Sequence, residues 1–159
     1  MRAAVDSFHE VLVQKPTKGE LGVFTSVPFL AGALIVPLLG SLSKRATKRT
    51  IQIDDALHVD ESDQIVAGVN HSCDPNAYLD FSDLGRLCIR ALVPIAPGSE
   101  VTIDYCASEE KLAEPFECWC GSGRCYGTIR GYAFLATGER EALGANLSPY
   151  LRRKYHKPM

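Results

Sequence analysis

Three cysteines fall close together in Cys118-Trp119-Cys120-Gly121-Ser122-Gly123-Arg124-Cys125, and a fourth lies upstream in Asn70-His71-Ser72-Cys73-Asp74-Pro75-Asn76. Four thiolates suit one tetrahedral zinc ion, so the pattern reads as a structural metal site. The two ligands of Cys118-x-Cys120 reach one ion only if the backbone turns tightly, which Gly121 and Gly123 ease. Cys73, in a polar loop with Pro75, is the expected fourth ligand. Two alternatives stay open: His71 replacing one cysteine, or a set of free buried thiols. Cys88 sits in an apolar stretch and reads as a core residue; Cys106 follows Tyr105 and carries no chemistry in this reading.

An ion bound this way would tie the C-terminal part of the chain to a distant loop, so function is sought where the two segments meet. The chain has 159 residues, enough for one domain with a real core. Hydrophobic residues make up 46% and charged residues 23%, as in soluble globular proteins, and a net charge of -2 gives no signature of polyanion binding. A direct nucleic-acid partner is not expected. The six cysteines do not follow a basic-then-apolar leader, so a reducing, intracellular setting is expected, cytoplasmic or nuclear. The apolar run from Val27 to Leu39 is shorter than the roughly 20 residues of a membrane helix and holds Pro28, Gly32 and Pro37. No membrane partner is expected.

Short strands should position these groups. Leu21 to Thr25 and Ala33 to Leu39 read as strands around a turn, Gln64 to Val69 and Leu87 to Val93 as two more, and Glu100 to Tyr105 as extended. Ser108 to Ala113 and Thr137 to Leu143 read as short helices. The basic run Lys44 to Arg49, and the acidic residues Asp54, Asp55, Asp60, Glu61 and Asp63, read as solvated surface. The basic tail from Tyr150 to Met159 is expected to fray. The fold class is mainly β with short helices.

Three motifs occur in a telling order: Asn70-His71-Ser72-Cys73-Asp74-Pro75-Asn76, then Gly98-Ser99-Glu100-Val101-Thr102-Ile103-Asp104-Tyr105, then Cys118-x-Cys120-x4-Cys125-x-Gly127. With Lys18-Gly19-Glu20-Leu21-Gly22-Val23 upstream, the chain resembles a SET domain followed by its post-SET zinc segment, and in particular small stand-alone SET proteins. The resemblance implies several small β-sheets, a pseudoknot in which the first two motifs cross, and three regions. These are a SET domain over residues 8–107 with a short insert at about 50–65, a post-SET zinc segment over 108–135, and a C-terminal helix and basic tail over 136–159.

The same resemblance implies an S-adenosylmethionine-dependent protein-lysine N-methyltransferase acting on a histone or other basic protein. The zinc ion would be structural, with Cys73, Cys118, Cys120 and Cys125 as ligands. Tyr105 matches the family's active-site tyrosine. Leu21, Gly22, Asn70, His71, Tyr105 and Trp119 match or neighbour cofactor-binding positions, and Tyr126, Tyr132 and Phe134 are further candidates to cover the cofactor or line a lysine channel. Gly19 is offset by one residue from the family's Gly-x-Gly spacing. Ile103 stands where many members carry Phe or Tyr, a position tied to the number of methyl groups added, and Ala67 stands where arginine is common. A SET-like enzyme acting on a small molecule, and a noncatalytic SET-fold binding protein, are the alternatives.

Overall fold

A computed structural model describes residue 8 and residues 10–158; the start of the chain and Met159 lie outside it. Strands β1 (Leu12–Thr17) and β2 (Glu20–Thr25) form an antiparallel hairpin with Thr17 opposite Glu20. Its two-residue turn has Lys18 at φ 45° and Gly19 at φ 83°, the left-handed pair whose twist matches that of the strands it joins. Next come β3 (Leu34–Pro37), β4 (Ser41–Ser43), β5 (Thr50–Asp54), β6 (Leu57–Asp60), β7 (Asn70–His71), β8 (Ala77–Asp80), β9 (Cys88–Ala91) and β10 (Thr102–Ile103). The chain continues with β11 (Phe116–Glu117), β12 (Thr128–Ile129), α1 (Thr137–Leu143) and α2 (Pro149–Tyr155). These build antiparallel sheets of order β3-β9-β8 and β4-β6-β5, a β11–β12 pair, and one parallel pair, β7 with β10.

Two apolar cores hold the sheets. The first gathers the buried faces of the early strands, including Leu12, Val23, Ile35, Val69, Ile89, Val101 and Ile103. The second forms around the cysteine segment, where Cys73, Cys106, Ile129, Tyr132, Leu143, Leu147, Tyr150 and Leu151 pack together. Among the described residues no helix is long and apolar enough to cross a membrane.

Several local expectations fail, each for a tertiary reason. Ile65–Gly68 is a 3-10 turn, not a strand, because the chain must fold tightly against the first hairpin: a Cβ on Gly68 would lie 2.6 Å from the Gln14 amide nitrogen and 3.3 Å from Val23. Ser108 to Ala113 is not helical. A 3-10 turn over Tyr105–Ala107 comes first, capped by Asp104, and Glu109 and Glu110 are then drawn to β5. The tail does not fray, since Ser148 caps α2 by accepting from the Leu151 N–H, Pro149 opens the helix, and Tyr150 and Leu151 are buried. Glu61 is fully buried, not solvated, with one carboxylate oxygen accepting from the Gly40 N–H at 2.8 Å.

Leu151→Ala should lower stability by about 2–5 kcal/mol, because a fully buried leucine leaves a cavity. Leu30→Ala, at a position 78% exposed, should stay within about 0.5 kcal/mol. Urea unfolding followed by circular dichroism separates the two.

Candidate active site and metal centre

The parallel pairing of β7 with β10 sets Asn70 beside Thr102 and His71 beside Ile103. Asn76 locks the crossing: its amide donates to the Glu100 carbonyl at 2.8 Å and its carbonyl accepts from the Thr102 N–H at 2.9 Å. The Ser72 N–H donates to the Ile103 carbonyl at 2.9 Å. The strand therefore delivers Tyr105 directly against the Asn70 loop, and the Tyr105 hydroxyl donates to the Val69 carbonyl at 2.6 Å.

His71 sits at the centre. Its Nδ1 accepts from the Tyr105 N–H at 3.0 Å, so a neutral ring carries its proton on Nε2, which faces the Cys73 sulfur at 3.3 Å. Burial drives its pKa down to about 4 and holds it neutral. The Asp104 carboxylate, 3.6 Å from Nδ1, is pushed up to about 6 by burial, against hydrogen bonds from the Tyr126 hydroxyl at 2.7 Å and the Cys106 N–H at 2.9 Å. Burial, then the carboxylates of Glu20, Glu109 and Glu100, raise Tyr105 well above the ordinary phenol range. Its hydroxyl keeps its proton at neutral pH. Phe116 flanks both rings, edge-on to Tyr105 at 6.0 Å and to His71 at 5.9 Å.

On the adjoining side, the Asn70 amide donates to the Leu21 carbonyl at 3.1 Å and to the Glu100 carboxylate at 2.9 Å. A Cβ on Gly22 would run into that carboxylate and come within 2.8 Å of the Thr17 methyl, so a larger residue would push the Glu100 side chain aside. Leu21 is 54% exposed and Trp119 is 78% exposed, and the Lys18 ammonium donates to the Trp119 carbonyl at 2.7 Å. The first hairpin thus touches the cysteine segment across the Asn70 side of the pseudoknot.

The four cysteines converge. The sulfurs of Cys73, Cys118, Cys120 and Cys125 all lie within 4.8 Å of one another, with Cys73 and Cys118 3.9 Å apart. Zinc–thiolate bonds of about 2.3 Å in a tetrahedron put sulfurs about 3.8 Å apart, so the set fits one zinc ion. Backbone N–H groups of Tyr126 and Gly127 point at the sulfurs of Cys73 and Cys125, at 3.3 and 3.5 Å. Burial and the neighbouring thiols push Cys73 up, a cost that a bound cation reverses. Gly121 takes a left-handed φ of 76° as expected, but Gly123 does not; the second such residue is Gly127, at 78°. His71 stands behind Cys73, facing its sulfur, and outside the cluster of four.

The sequence profile described as SET domain matches residues 20–106, more than half of the chain. The chain belongs to the SET-domain family. It is 30% identical to the methyltransferase flvH of Aspergillus flavus over 102 residues, covering 64% of this chain and 56% of that protein. It is 34% identical to a histone-lysine N-methyltransferase, H3 lysine-4 specific, of Saccharomyces cerevisiae over 105 residues, covering 58% of this chain and 10% of that one. Among solved structures, KRYPTONITE in complex with mCHH DNA, an H3(1-15) peptide and S-adenosylhomocysteine (SAH) superposes with a TM-score of 0.59 at 21% identity. That match covers 74% of this chain and 28% of that one and shows a shared fold. The chain thus spans little more than half of flvH and far less of the other two. The absence of a nucleic-acid partner, expected from charge alone, draws no support from a neighbour solved with DNA.

A cavity of about 430 Å³ is lined by residues of the cysteine loops and of α1, among them Cys73, Tyr78, Ile103, Cys125, Tyr126 and Leu143. Of the aromatic candidates only Tyr126 reaches it. Tyr132 is fully buried in the second core, its hydroxyl bonded to His156, while Phe134 is exposed beneath Arg130. Motif matching passed over Phe116, Asp104 and the Val69 carbonyl. Phe116 and Val69 lie outside the motifs, and Asp104 lies inside one with its role set only by burial.

Protein purified without chelators should carry about one zinc per chain by plasma mass spectrometry. Cys118→Ser should lose it and lower the melting temperature by on the order of 10 °C. Unchanged zinc content and melting in that variant would refute the assignment.

Proposed function

We propose that this SET domain is an S-adenosylmethionine-dependent N-methyltransferase whose acceptor is a lysine side-chain amine of a histone or other basic protein, and that its zinc ion is structural. The observation that carries this reading is the Tyr105 hydroxyl, held protonated against the Val69 carbonyl where the two crossed motifs meet. The names of the relatives support methyl transfer, and the SAH bound to KRYPTONITE supports the donor class.

S-adenosylmethionine, when bound, supplies an electrophilic methyl group on a sulfonium. The residues of this chain have three tasks: alignment, exclusion of water, and a polar setting for an amine. Leu21, Gly22, Asn70, His71 and Trp119 are the residues that would hold the donor, with Gly22 and the Leu21 carbonyl placed for close backbone approach. Tyr105 orients the acceptor as a hydrogen-bonding group; a phenol held this far above its ordinary range is no base near neutrality. The acceptor amine therefore loses its proton to water before transfer.

A second reading, methylation of a small molecule, is favoured by one feature. The acidic groups that would draw in a basic peptide already face the chain's own helix, with Lys154 3.1 Å from Asp55 and 3.0 Å from Glu110, and Arg153 3.7 Å from Asp54. Protein offered methyl-labelled S-adenosylmethionine with a mixed protein lysate should label protein lysines, and Tyr105→Phe should reduce that labelling about 10²-fold. Donor binding without labelled protein would favour the small-molecule reading. Absence of donor binding would sink both and leave a binding protein.

A further inference from the structure

Glu109 is a partly buried carboxylate that neither the metal centre nor the donor-side contacts use. Among the described residues no lysine, arginine or histidine pairs with it. Its one engaged oxygen accepts from the Gln52 N–H at 2.8 Å and from the Ser108 hydroxyl at 3.1 Å. An acid drawn partly out of water without a cationic partner costs stability, so this position is poorly explained by packing alone. Its connections are specific. The Glu109 N–H donates to the carbonyl of Tyr105 at 2.9 Å, while its carboxylate reaches the β5–β6 hairpin.

The contact is reciprocal. The Glu110 N–H donates to the Gln52 side-chain carbonyl at 2.9 Å, and the Gln52 amide nitrogen is held by the carbonyls of Asp54 and Asp55 at 3.1 and 3.2 Å. Strand β5 is an edge strand, and Glu109 takes up the N–H that its edge would otherwise present. From behind, the Ser148 N–H donates to the Ala107 carbonyl at 2.8 Å, and Tyr150, Tyr155 and Lys154 gather on the Glu110 carboxylate. The turn carrying Tyr105 is thereby gripped between the hairpin and α2.

We propose that Glu109 is a positioning residue for methyl transfer, locking the Tyr105 turn to the β5–β6 hairpin through Gln52. This rests on the methyltransferase reading. Burial raises Glu109 to about 7, against the bonds from Gln52 and Ser108, so the lock changes charge in the neutral range. The titratable groups facing it are Tyr105 and Cys106 of its own turn; β5 contributes the uncharged Gln52, and Lys154, Tyr150 and Tyr155 of α2 face Glu110 next door. Ionised, Glu109 holds the Gln52 N–H through a charge-assisted bond and adds negative charge beside Tyr105. Protonated, it still offers a carbonyl oxygen to that N–H but without charge assistance, and it no longer adds negative charge beside Tyr105.

Glu109→Gln preserves an acceptor of the same shape that cannot ionise, and Glu109→Ala removes the acceptor. Three readouts are needed: exchange of the Gln52 amide by NMR, affinity for SAH by calorimetry, and the pH profile of kcat. In Glu109→Ala, Gln52 should lose its protection and kcat should fall about tenfold, while SAH affinity stays within about twofold. Glu109→Gln should keep the protection and lose the inflexion near pH 7 that the unsubstituted protein shows. An inflexion that persists in Glu109→Gln overturns the proposal, and so does wild-type kcat in Glu109→Ala. If Glu109→Ala fails to fold, the profile of Glu109→Gln decides alone. If the unsubstituted protein binds SAH but methylates nothing, the functional reading fails, and Gln52 exchange in Glu109→Ala still decides the lock: unchanged protection overturns it.

Discussion

A single imidazole ring links the tyrosine to the metal cluster. His71 accepts the Tyr105 N–H on one nitrogen and turns the other toward the Cys73 sulfur. The contact from the Tyr105 N–H needs the neutral ring with its proton on Nε2, and burial supplies it by disfavouring the charged form. A proton added to Nδ1 would abolish the acceptor on which the Tyr105 backbone rests. The protonated hydroxyl of Tyr105, the cysteine cluster and the donor-side contacts of Asn70 all radiate from this one side chain and its neighbours.

Around that ring the protein has two cores with different dependencies. The first is built from two hairpin pairs and the long-range pairing of β3 with β9, and has the usual apolar faces of small sheets. The second has little regular structure of its own: two cysteine-bearing loops, a two-residue sheet and two short helices fill it. Four thiols in contact are a poor substitute for apolar packing unless a cation binds them, so the second core and the metal stand or fall together.

Legibility in the sequence followed the range of the forces involved. Motifs that are contiguous in the chain, such as Asn70 to Asn76 and Cys118 to Cys125, could be read directly although their partners lie far away, and so could the four-cysteine set and the helix Thr137–Leu143. The strands at Glu20–Thr25 and Cys88–Ala91 followed from β-branched and apolar residues. The misread segments are those where partners far along the chain decide. Ile65–Gly68 has strand-forming residues but is folded tightly by Gln14 and Val23, and Glu109 and Glu110 look like helix formers but serve Gln52. The tail looked like a solvated basic run because Tyr150 and Leu151 reveal themselves only once the second core exists to receive them. Glu61 read as surface for the same reason: no pattern marks an acid for burial.

The bond from the Ser148 N–H to the Ala107 carbonyl carries a temporal consequence. During synthesis the Tyr105 turn emerges well before Ser148 and α2, and before the last three cysteines. The parallel β7–β10 pair also joins segments distant along the chain, a kind of contact that forms slowly because loop closure precedes any gain. Until Ser148 has been made, the Tyr105 turn of a nascent chain lacks one of the two contacts that grip it. Order at that turn is thus completed by a segment synthesised later than the strands that carry it.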